Sequence, residues 1–439
     1  MFRLNGIHLR HNKNTADMPP VRMSVPQKVV MQMSMHIGAP AVPCVKVGDE
    51  VKVGQLIGEN GAGLCSPVYS SVSGKVKKIE EMVALNGAHI QAVVIESDGE
   101  QAVCESVKPP VVENREQFLE AVKASGIVGL GGAGFPTYVK LSADVSKIDT
   151  IVVNGAECEP YITSDTRTMI DDADGVAEGI ALLMKYLEVN RVVIGIEKNK
   201  PKCISAMKKA IASLAGVEIK SLPSVYPQGG EKVLVYHTLG RVIKEGALPL
   251  DCGVVVINCT TVAAIAKYVK TGMPLVEKCV TVDGSAVAEP KNIIAPIGTP
   301  AKDVFEFCGG FKAEPTKILL GGPMMGVPLS DIGAPITKQT NALIALDKKD
   351  AVVPKSTACI KCGKCAATCP FGLSPCDISA AMKAGDMEAL EKLKVNVCME
   401  CGCCAYICPA KKDIVQNHKI AKARLRKYQM AKKEEKKNG

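Results

Sequence analysis

"SGIVGLGGAGFPTYVK", residues 125–140, carries Gly129, Gly131 and Gly134 in the spacing G-x-G-x-x-G. In a dinucleotide-binding βαβ unit that spacing follows a strand and opens a helix, so that a pyrophosphate rests on the helix N-terminus. The preceding residues, "NREQFLEAVKASG" (114–126), place Phe118, Leu119 and Val122 at helical spacing, and Gly126 reads as a helix stop. No strand leads into the loop. The glycines therefore do not form an ordinary dinucleotide turn. Either they cradle another ligand or they form a Gly-rich turn packed against a helix.

The residues after the loop give its setting. "DTIVVNGAECEPYITSDTRTM" (149–169) opens on an apolar strand at Ile151–Val153 that runs into a polar, acidic turn. "RVVIGI" (191–196) and "GVVVIN" (253–258) repeat the apolar pattern, and helical segments at 171–189 and 199–216 separate them. Strands alternating with helices predict an α/β domain with a largely parallel sheet. Ligands of such sheets gather at the carboxyl ends of strands. Asn154, Glu157 and Glu159 follow one strand and Asn258 and Thr261 another, so these groups are expected to converge near the glycine loop.

At 439 residues and 47% apolar, the chain can bury several cores. It has no uncharged apolar run of about 18 residues, which predicts no transmembrane helix, and residues 1–20 lack the pattern of a secretory signal. An intracellular chain is expected. The formal charge of +9 is uneven, because residues 411–439 hold eleven Lys and Arg against three Asp and Glu. That stretch reads as a solvated, frayed helical tail or as a docking surface for an acidic partner or anionic membrane face. With no Trp and 4% aromatics, stacking platforms for single-stranded nucleic acid are scarce.

Nineteen cysteines in such a chain point to metal rather than disulfides. Ten of them fall between Cys359 and Cys408. "CIKCGKCAATCP" (359–370) and "CMECGCCAYICP" (398–409) both follow C-x2-C-x2-C-x3-C-P, the bacterial [4Fe–4S] run, in which the fourth Cys serves the other cluster. The predicted sets are Cys359, Cys362, Cys365 and Cys408 for the first cluster, and Cys369, Cys398, Cys401 and Cys404 for the second. Zinc sites use well-separated C-x2-C pairs or recruit His, so the doubled run favours iron–sulfur. Cys376 and Cys403 fit neither run and read as bystanders. Between the runs the pattern is helical, with Asp377 and Asp386 as helix starts. Two clusters in one helical module would form a one-electron wire.

At the level of motifs, "GLGGAGFPTYVK" (129–140) and "NGAECEPY" (154–161) resemble the flavin loop and acidic loop of the NADH-binding flavoprotein of respiratory complex I. "YPQGGEKVLV" (226–235) and "NCTTVAAI" (258–265) match two further segments of that site. The order of modules, with the paired-cluster tail, is similar to that of the RnfC family, the C component of Rnf complexes, which are membrane-bound, ion-pumping ferredoxin:NAD oxidoreductases. The resemblance implies FMN held close to backbone at Gly131, Gly132, Ala133 and Gly134. It implies polar contacts to the flavin from Lys140 and Asn154, and Asn258 and Thr261 near the phosphate. Glu157, Glu159 and Glu231 match acidic positions around flavin and nicotinamide nucleotide, and Phe135 matches a position that stacks on the nucleotide. Leu130 replaces the complex I Arg between the glycines and Ala156 replaces an Asp, so nucleotide grip is expected to differ.

The resemblance implies two [4Fe–4S] clusters, FMN and NAD(H) as substrate. It also implies partner subunits of a membrane-bound complex, ferredoxin as an indirect donor, and a peripheral place on the cytoplasmic face of the cell membrane. Residues 1–112, with short strands and Gly turns at 48, 54, 58 and 74, are expected to form a β-sandwich of the barrel-sandwich hybrid type. It lacks the Met-Lys-Met hairpin of a biotinyl or lipoyl carrier and reads as structural or as an interface. Residues 113–270 would be the α/β FMN- and NAD(H)-binding domain, 271–318 a β-grasp module and 319–354 a Gly/Pro connector. Residues 355–415 would be the helical two-cluster ferredoxin domain and 416–439 the basic tail. His8 and His11 read as surface or capping residues, and Met31, Met33 and Met35 as a buried strand face. The expected activity is oxidoreductase, with hydride transfer by FMN and no catalytic side chain. The alternatives are a soluble flavin and iron–sulfur module for another reductase or hydrogenase, and a relay without flavin.

Overall fold

The computed structural model describes residues 4–60, 63–84, 87–132 and 134–438. Ala133 lies outside the described residues. The N-terminal module is all β, with β1 (Val21–Arg22), β2 (Lys28–Gln32), β3 (Val42–Pro43), β4 (Glu50–Val51), β5 (Leu56–Glu59), β6 (Val68–Tyr69), β7 (Gly74–Val83) and β8 (His89–Ser97). An antiparallel sheet in the order β2-β8-β7-β4 faces a three-stranded sheet β3-β5-β6. Met31, Met33 and Met35 are buried in the core between them with Ile57, Val93 and Ile95, as the alternation predicts.

The α/β domain begins with α1 (Arg115–Ala124), capped by Asn114, whose side chain accepts the Gln117 N–H at 3.0 Å. Gly126, at φ +68°, ends that turn. After the glycine loop come α2 (Thr137–Leu141), β9 (Thr150–Gly155), α3 (Ser164–Asp171), α4 (Ala173–Leu187), β10 (Val192–Glu197), α5 (Pro201–Ala210), β11 (Val217–Leu222), α6 (Glu231–Leu239), β12 (Val254–Asn258) and α7 (Cys259–Thr271). The sheet order is β11-β10-β9-β12 and every pairing is parallel. β9, β10 and β12 are apolar on both faces because helices cover both sides, whereas the edge strand β11 alternates with exposed Glu218, Lys220 and Ser221. The larger core lies against α1, α4, α5 and α7, and a smaller one under α6 holds Val152, Leu234 and Val256.

The next module is a six-stranded sheet in the order β1-β14-β13-β17-β15-β16, built from β13 (Glu277–Asp283), β14 (Lys291–Pro296), β15 (Lys317–Leu320), β16 (Val327–Pro328) and β17 (Ala342–Leu346). Helix α8 (Ala301–Phe307) packs on it through Val304 and Phe305. Residues 319–354 therefore do more than connect. β17 sits between β13 and β15 with all five residues buried, and β1 adds an edge from the N-terminus.

The cysteine module is helical: α9 (Lys364–Ala367), α10 (Pro375–Ala384), α11 (Met387–Lys392), α12 (Cys403–Ile407) and α13 (Ile414–Asn438). The expected boundary at 415/416 falls inside α13. Ala421 and Leu425 on that helix are buried with Ile378 and Leu390 in the module's own core, so its first half is structural and not a frayed tail. Among the described residues no helix is long and apolar enough to cross a membrane.

Candidate functional site

The glycine loop joins α1 to α2 and closes on itself. The Gly129 N–H donates to the Phe135 carbonyl at 2.8 Å and the Gly134 N–H to the Gly129 carbonyl at 3.2 Å. Gly132 (φ +113°) and Gly134 (φ +66°) adopt backbone that a Cβ disfavours. Two anchors hold the root: the Leu130 N–H donates to Thr261 Oγ1 at 3.0 Å, and the Lys278 ammonium donates to the Leu130 carbonyl at 2.9 Å. Burial pushes Lys278 down to about 8. The Leu130 side chain is buried, while Gly131 and Gly132 stay exposed at the tip. A Cβ on Gly131 would stand 3.3 Å from the Asn258 side chain. Glycine there lets the loop backbone lie directly against the residue that starts α7.

The remaining groups gather at the carboxyl edge of the sheet beside that contact. Asn154 and Asn258 are register partners at the ends of β9 and β12. Asn258 caps α7 by accepting the Thr261 N–H at 3.2 Å, and its amide donates to Asp165 at 2.8 Å. Asn154 donates to the Gly229 carbonyl at 3.0 Å and accepts the Ala156 N–H at 3.1 Å. Lys140, on α2, donates to Glu231 Oε1 and to the Val256 carbonyl, both at 2.9 Å. Phe135 is half-buried.

The acidic loop separates the three predicted carboxylates. Glu157, at φ +44°, turns inward and accepts the Asp165 N–H at 2.6 Å, the Thr166 N–H at 3.2 Å and the Thr166 hydroxyl. It caps the N-terminus of α3, where carboxylates are favoured. Glu159 points the other way: one oxygen accepts the Met324 N–H at 3.0 Å, and the other is buried with no hydrogen-bond partner. Burial pushes its carboxyl up to about 7. Only Glu231 stands beside the glycine loop's lysine.

Two lysines that the sequence did not single out fix this loop. Lys13 Nζ donates to the carbonyls of Glu157 (2.9 Å), Glu159 (2.8 Å) and Ile162. Lys200 Nζ donates to the Ala156 carbonyl and to Glu197 Oε2, both at 2.7 Å. Lys13 lies in an irregular polar stretch with no periodicity to flag it.

In the helical module the two cysteine runs share one backbone. Lys361 (φ +54°) and Gly363 (φ +71°) in the first match Glu400 (φ +60°) and Gly402 (φ +86°) in the second. These left-handed residues turn the chain so that the Lys361 N–H donates to Cys359 Sγ and the Glu400 N–H to Cys398 Sγ, each at 3.4 Å. Cys369 from the first run lines one small cavity with Cys398, Cys401, Cys403 and Cys404 from the second. Helices α9 and α12 pack together. Among the described residues no group of His, Cys, Asp or Glu is gathered tightly enough to hold a single metal ion. Cys359 and Cys362 are exposed, whereas Cys369, Cys401 and Cys404 are buried.

Residues 2–100 match the RnfC barrel sandwich hybrid domain, 122–267 the Nuo51 FMN-binding domain and 279–328 the SLBB domain. The chain is 43% identical over 381 residues to the C component of the proton-translocating ferredoxin:NAD(+) oxidoreductase complex of Clostridium ljungdahlii, covering 85% of this chain and 83% of that one. It is 43% identical over 425 residues to the C component of the Na(+)-translocating ferredoxin:NAD(+) oxidoreductase complex of Acetobacterium woodii, covering 96% of both. The chain belongs to the RnfC family. A further member, the C component of the ion-translocating oxidoreductase complex of Rhodobacter capsulatus, is 39% identical, with 96% of this chain and 82% of that one covered. The fold is also like that of a chain in the crystal structure of an NAD+-reducing [NiFe]-hydrogenase in the H2-reduced state. There the TM-score is 0.50 at 18% identity, over 71% of this chain and 63% of that chain.

In this RnfC chain the second cysteine run is seated on the 226–230 turn, whose Gly229 carbonyl accepts from Asn154. The Tyr226 hydroxyl donates to the Cys401 carbonyl at 2.7 Å. Cys403 is buried against the Tyr226 carbonyl at 3.8 Å, which is the packing role left for a cysteine outside the run. Cys158 Sγ accepts the Gly229 N–H at 3.2 Å, and Met399 fills the space that a side chain at Gly230 would need. On the other side of the loop lies a strand-connecting segment that sequence reading passed over. Lys338 donates to the Gly126 carbonyl at 2.8 Å and to Ser66 Oγ at 3.2 Å, and burial pushes it down to about 7. Gln339 packs against Gly134, and the Asn341 Oδ1 is buried without a partner.

Proposed function

We propose that this chain is the NAD(H)-binding electron-transfer subunit of an ion-translocating ferredoxin:NAD+ oxidoreductase complex, with FMN at the glycine loop and two [4Fe–4S] clusters in the helical module. The observation that supports this reading is the seating of the Cys401 turn on Tyr226, which joins the cysteine module to the turn whose Gly229 carbonyl accepts from Asn154. The glycine loop suits FMN. The exposed Gly131 and Gly132 admit close approach, Gly134 keeps the left-handed turn behind them, and the N-terminus of the 13-residue α7, with Asn258 and Thr261, suits a phosphate. Lys140 and Asn154 stand ready as polar contacts, with Phe135 and Glu231 toward the nucleotide. Glu157 supports the site as a cap and Glu159 from beside the Met324 N–H. When bound, FMN exchanges a hydride with NAD+ and single electrons with iron–sulfur clusters.

The thiols of Cys359, Cys362, Cys365 and Cys408 would hold the first cluster, and those of Cys369, Cys398, Cys401 and Cys404 the second. The exposed Cys359 and Cys362 suit exchange with outside carriers, and the buried Cys369, Cys401 and Cys404 suit exchange with the flavin. That order suits a peripheral subunit on the cytoplasmic face, fed from ferredoxin through partner subunits. Two relatives of equal identity are named for different ions, H+ and Na+, so identity to them leaves the transported ion open. The test is anaerobic reconstitution of the chain with iron, sulfide and FMN. Acid should release about one flavin per chain, and NADH should bleach first the flavin and then the cluster absorbance. Iron uptake without flavin would reduce the chain to a relay.

A further inference from the structure

Cys376 belongs to neither cysteine run, yet its Sγ lies 3.5 Å from Cys359 Sγ. Cys359 is exposed and Cys376 half-buried, so the pair stands at the solvent edge of the module. Cys359 sits in an irregular stretch ahead of α9, while Cys376 is the second residue of α10. A disulfide needs an S–S separation of about 2.05 Å. The sulfurs therefore have to close by roughly 1.5 Å, which side-chain rotation and a small shift of the irregular 354–363 stretch can supply. The other bystander differs. Cys403 is 1% exposed and faces a backbone carbonyl.

We propose that Cys376 is a resolving thiol that protects the first cluster site. When hydrogen peroxide has stripped iron from that site, Cys359 and Cys376 join in a reversible disulfide. The balance is closed. The Cys359 sulfur attacks one peroxide oxygen, the O–O bond breaks, and Cys359 becomes a sulfenic acid as one water leaves. The Cys376 sulfur then displaces the sulfenic hydroxyl as a second water. Two thiols lose two electrons and two protons, and one peroxide is reduced to two waters. A dithiol of the thioredoxin class reverses the bond by exchange. Without Cys376 the sulfenic acid meets no partner at this distance and proceeds to sulfinic acid, which ordinary thiols do not repair.

This inference rests on Cys359 being a cluster ligand, and its test keeps the two claims apart. The full chain and its Cys376→Ser variant are reconstituted anaerobically, and iron and NADH-bleachable flavin are measured. Both are treated with hydrogen peroxide, differentially alkylated and mapped by peptide mass spectrometry. Each is then reduced with dithiothreitol and resupplied with iron and sulfide. Equal iron is expected in both before peroxide. Peroxide should give a Cys359–Cys376 bridged peptide in the natural chain and oxidised Cys359 in the variant. The natural chain should recover its iron, whereas the variant should regain only about half, one cluster of two. A sulfinic Cys359 with free Cys376 in the natural chain, or a bridge from Cys359 to Cys362 or Cys365, would overturn the proposal. So would full recovery by the variant, or a variant short of iron before peroxide, which would make Cys376 a ligand. Failure to bind flavin, by contrast, would strike the functional reading alone.

Discussion

Glu159 has one oxygen on the Met324 N–H and the other buried with no partner, and its carboxyl is pushed up to about 7 by burial. Because its folded value lies above the unfolded one, the neutral acid contributes stability that is full at pH values below about 4.5. That stability fades as pH rises toward and through 7. The difference amounts to about 3 kcal/mol at most. The melting midpoint of the natural chain is therefore expected to fall between about pH 5 and 8 relative to Glu159→Gln, which cannot ionise. Parallel curves for the two would contradict the burial argument. Gly131 makes a second residue-scale prediction. Substitution by Val would press on the Asn258 side chain, so Gly131→Val should keep the iron content and lose FMN affinity by about tenfold or more. Flavin fluorescence titration would measure it.

At the scale of elements, α13 changes meaning between sequence and structure. Its composition is that of a solvated basic tail. Yet Lys422 Nζ donates to the Cys398 carbonyl at 3.1 Å and pairs with Glu400 at 2.6 Å. His418 is wedged between Cys398 Sγ (3.3 Å) and the Pro375 carbonyl (3.0 Å). Truncation after residue 413 is expected to cost the second cluster and about half the iron. Truncation after residue 428 removes mostly exposed helix and should leave iron unchanged. Iron assay and circular dichroism of the two truncations decide this. The cap of α7 supplies a milder case. Asn258→Ala should destabilise by about 1 kcal/mol, and it should weaken FMN binding by more than that stability loss alone explains.

For the whole molecule, the junction between the α/β domain and the cysteine module rests on short contacts from separate regions: Tyr226 to Cys401, Met399 against Gly230, and Met324 against Gly402. A bulky residue at position 230 would displace Met399 and widen the junction. Gly230→Phe is expected to bind FMN normally and to be reduced by NADH at the natural rate. Its cluster absorbance should bleach about tenfold or more slowly in stopped-flow measurements, since misplacement across such a junction is costly. Equal rates for flavin and clusters would mean that electrons take another route.

Much of this was legible in order along the chain. The parallel sheet announced itself through apolar strands at 151–153, 191–196 and 253–258, and the doubled Cys-x2-Cys-x2-Cys-x3-Cys-Pro run through spacing. Both signals are local, because strand burial and ligand reach depend on neighbours within a few residues. What sequence did not disclose came from distant partners. Lys13 clamps a loop 144 residues away, Lys278 holds Leu130 and Lys338 holds Gly126. Each is an ammonium withdrawn from solvent, wholly for Lys278 and Lys338 and partly for Lys13, and donating to backbone carbonyls; a lysine written in one dimension looks like a solvated one. The segment 319–354 reads as Gly/Pro linker but inserts β17 at the centre of a sheet. By itself, then, the sequence determined the apolar strands of the parallel sheet and the doubled cysteine spacing, since periodicity and spacing are properties of adjacent residues. Only the tertiary structure decided that Glu157 caps a helix while Glu159 turns to the Met324 N–H. It alone seated the Cys401 turn on Tyr226, because such choices depend on which surfaces exclude water together.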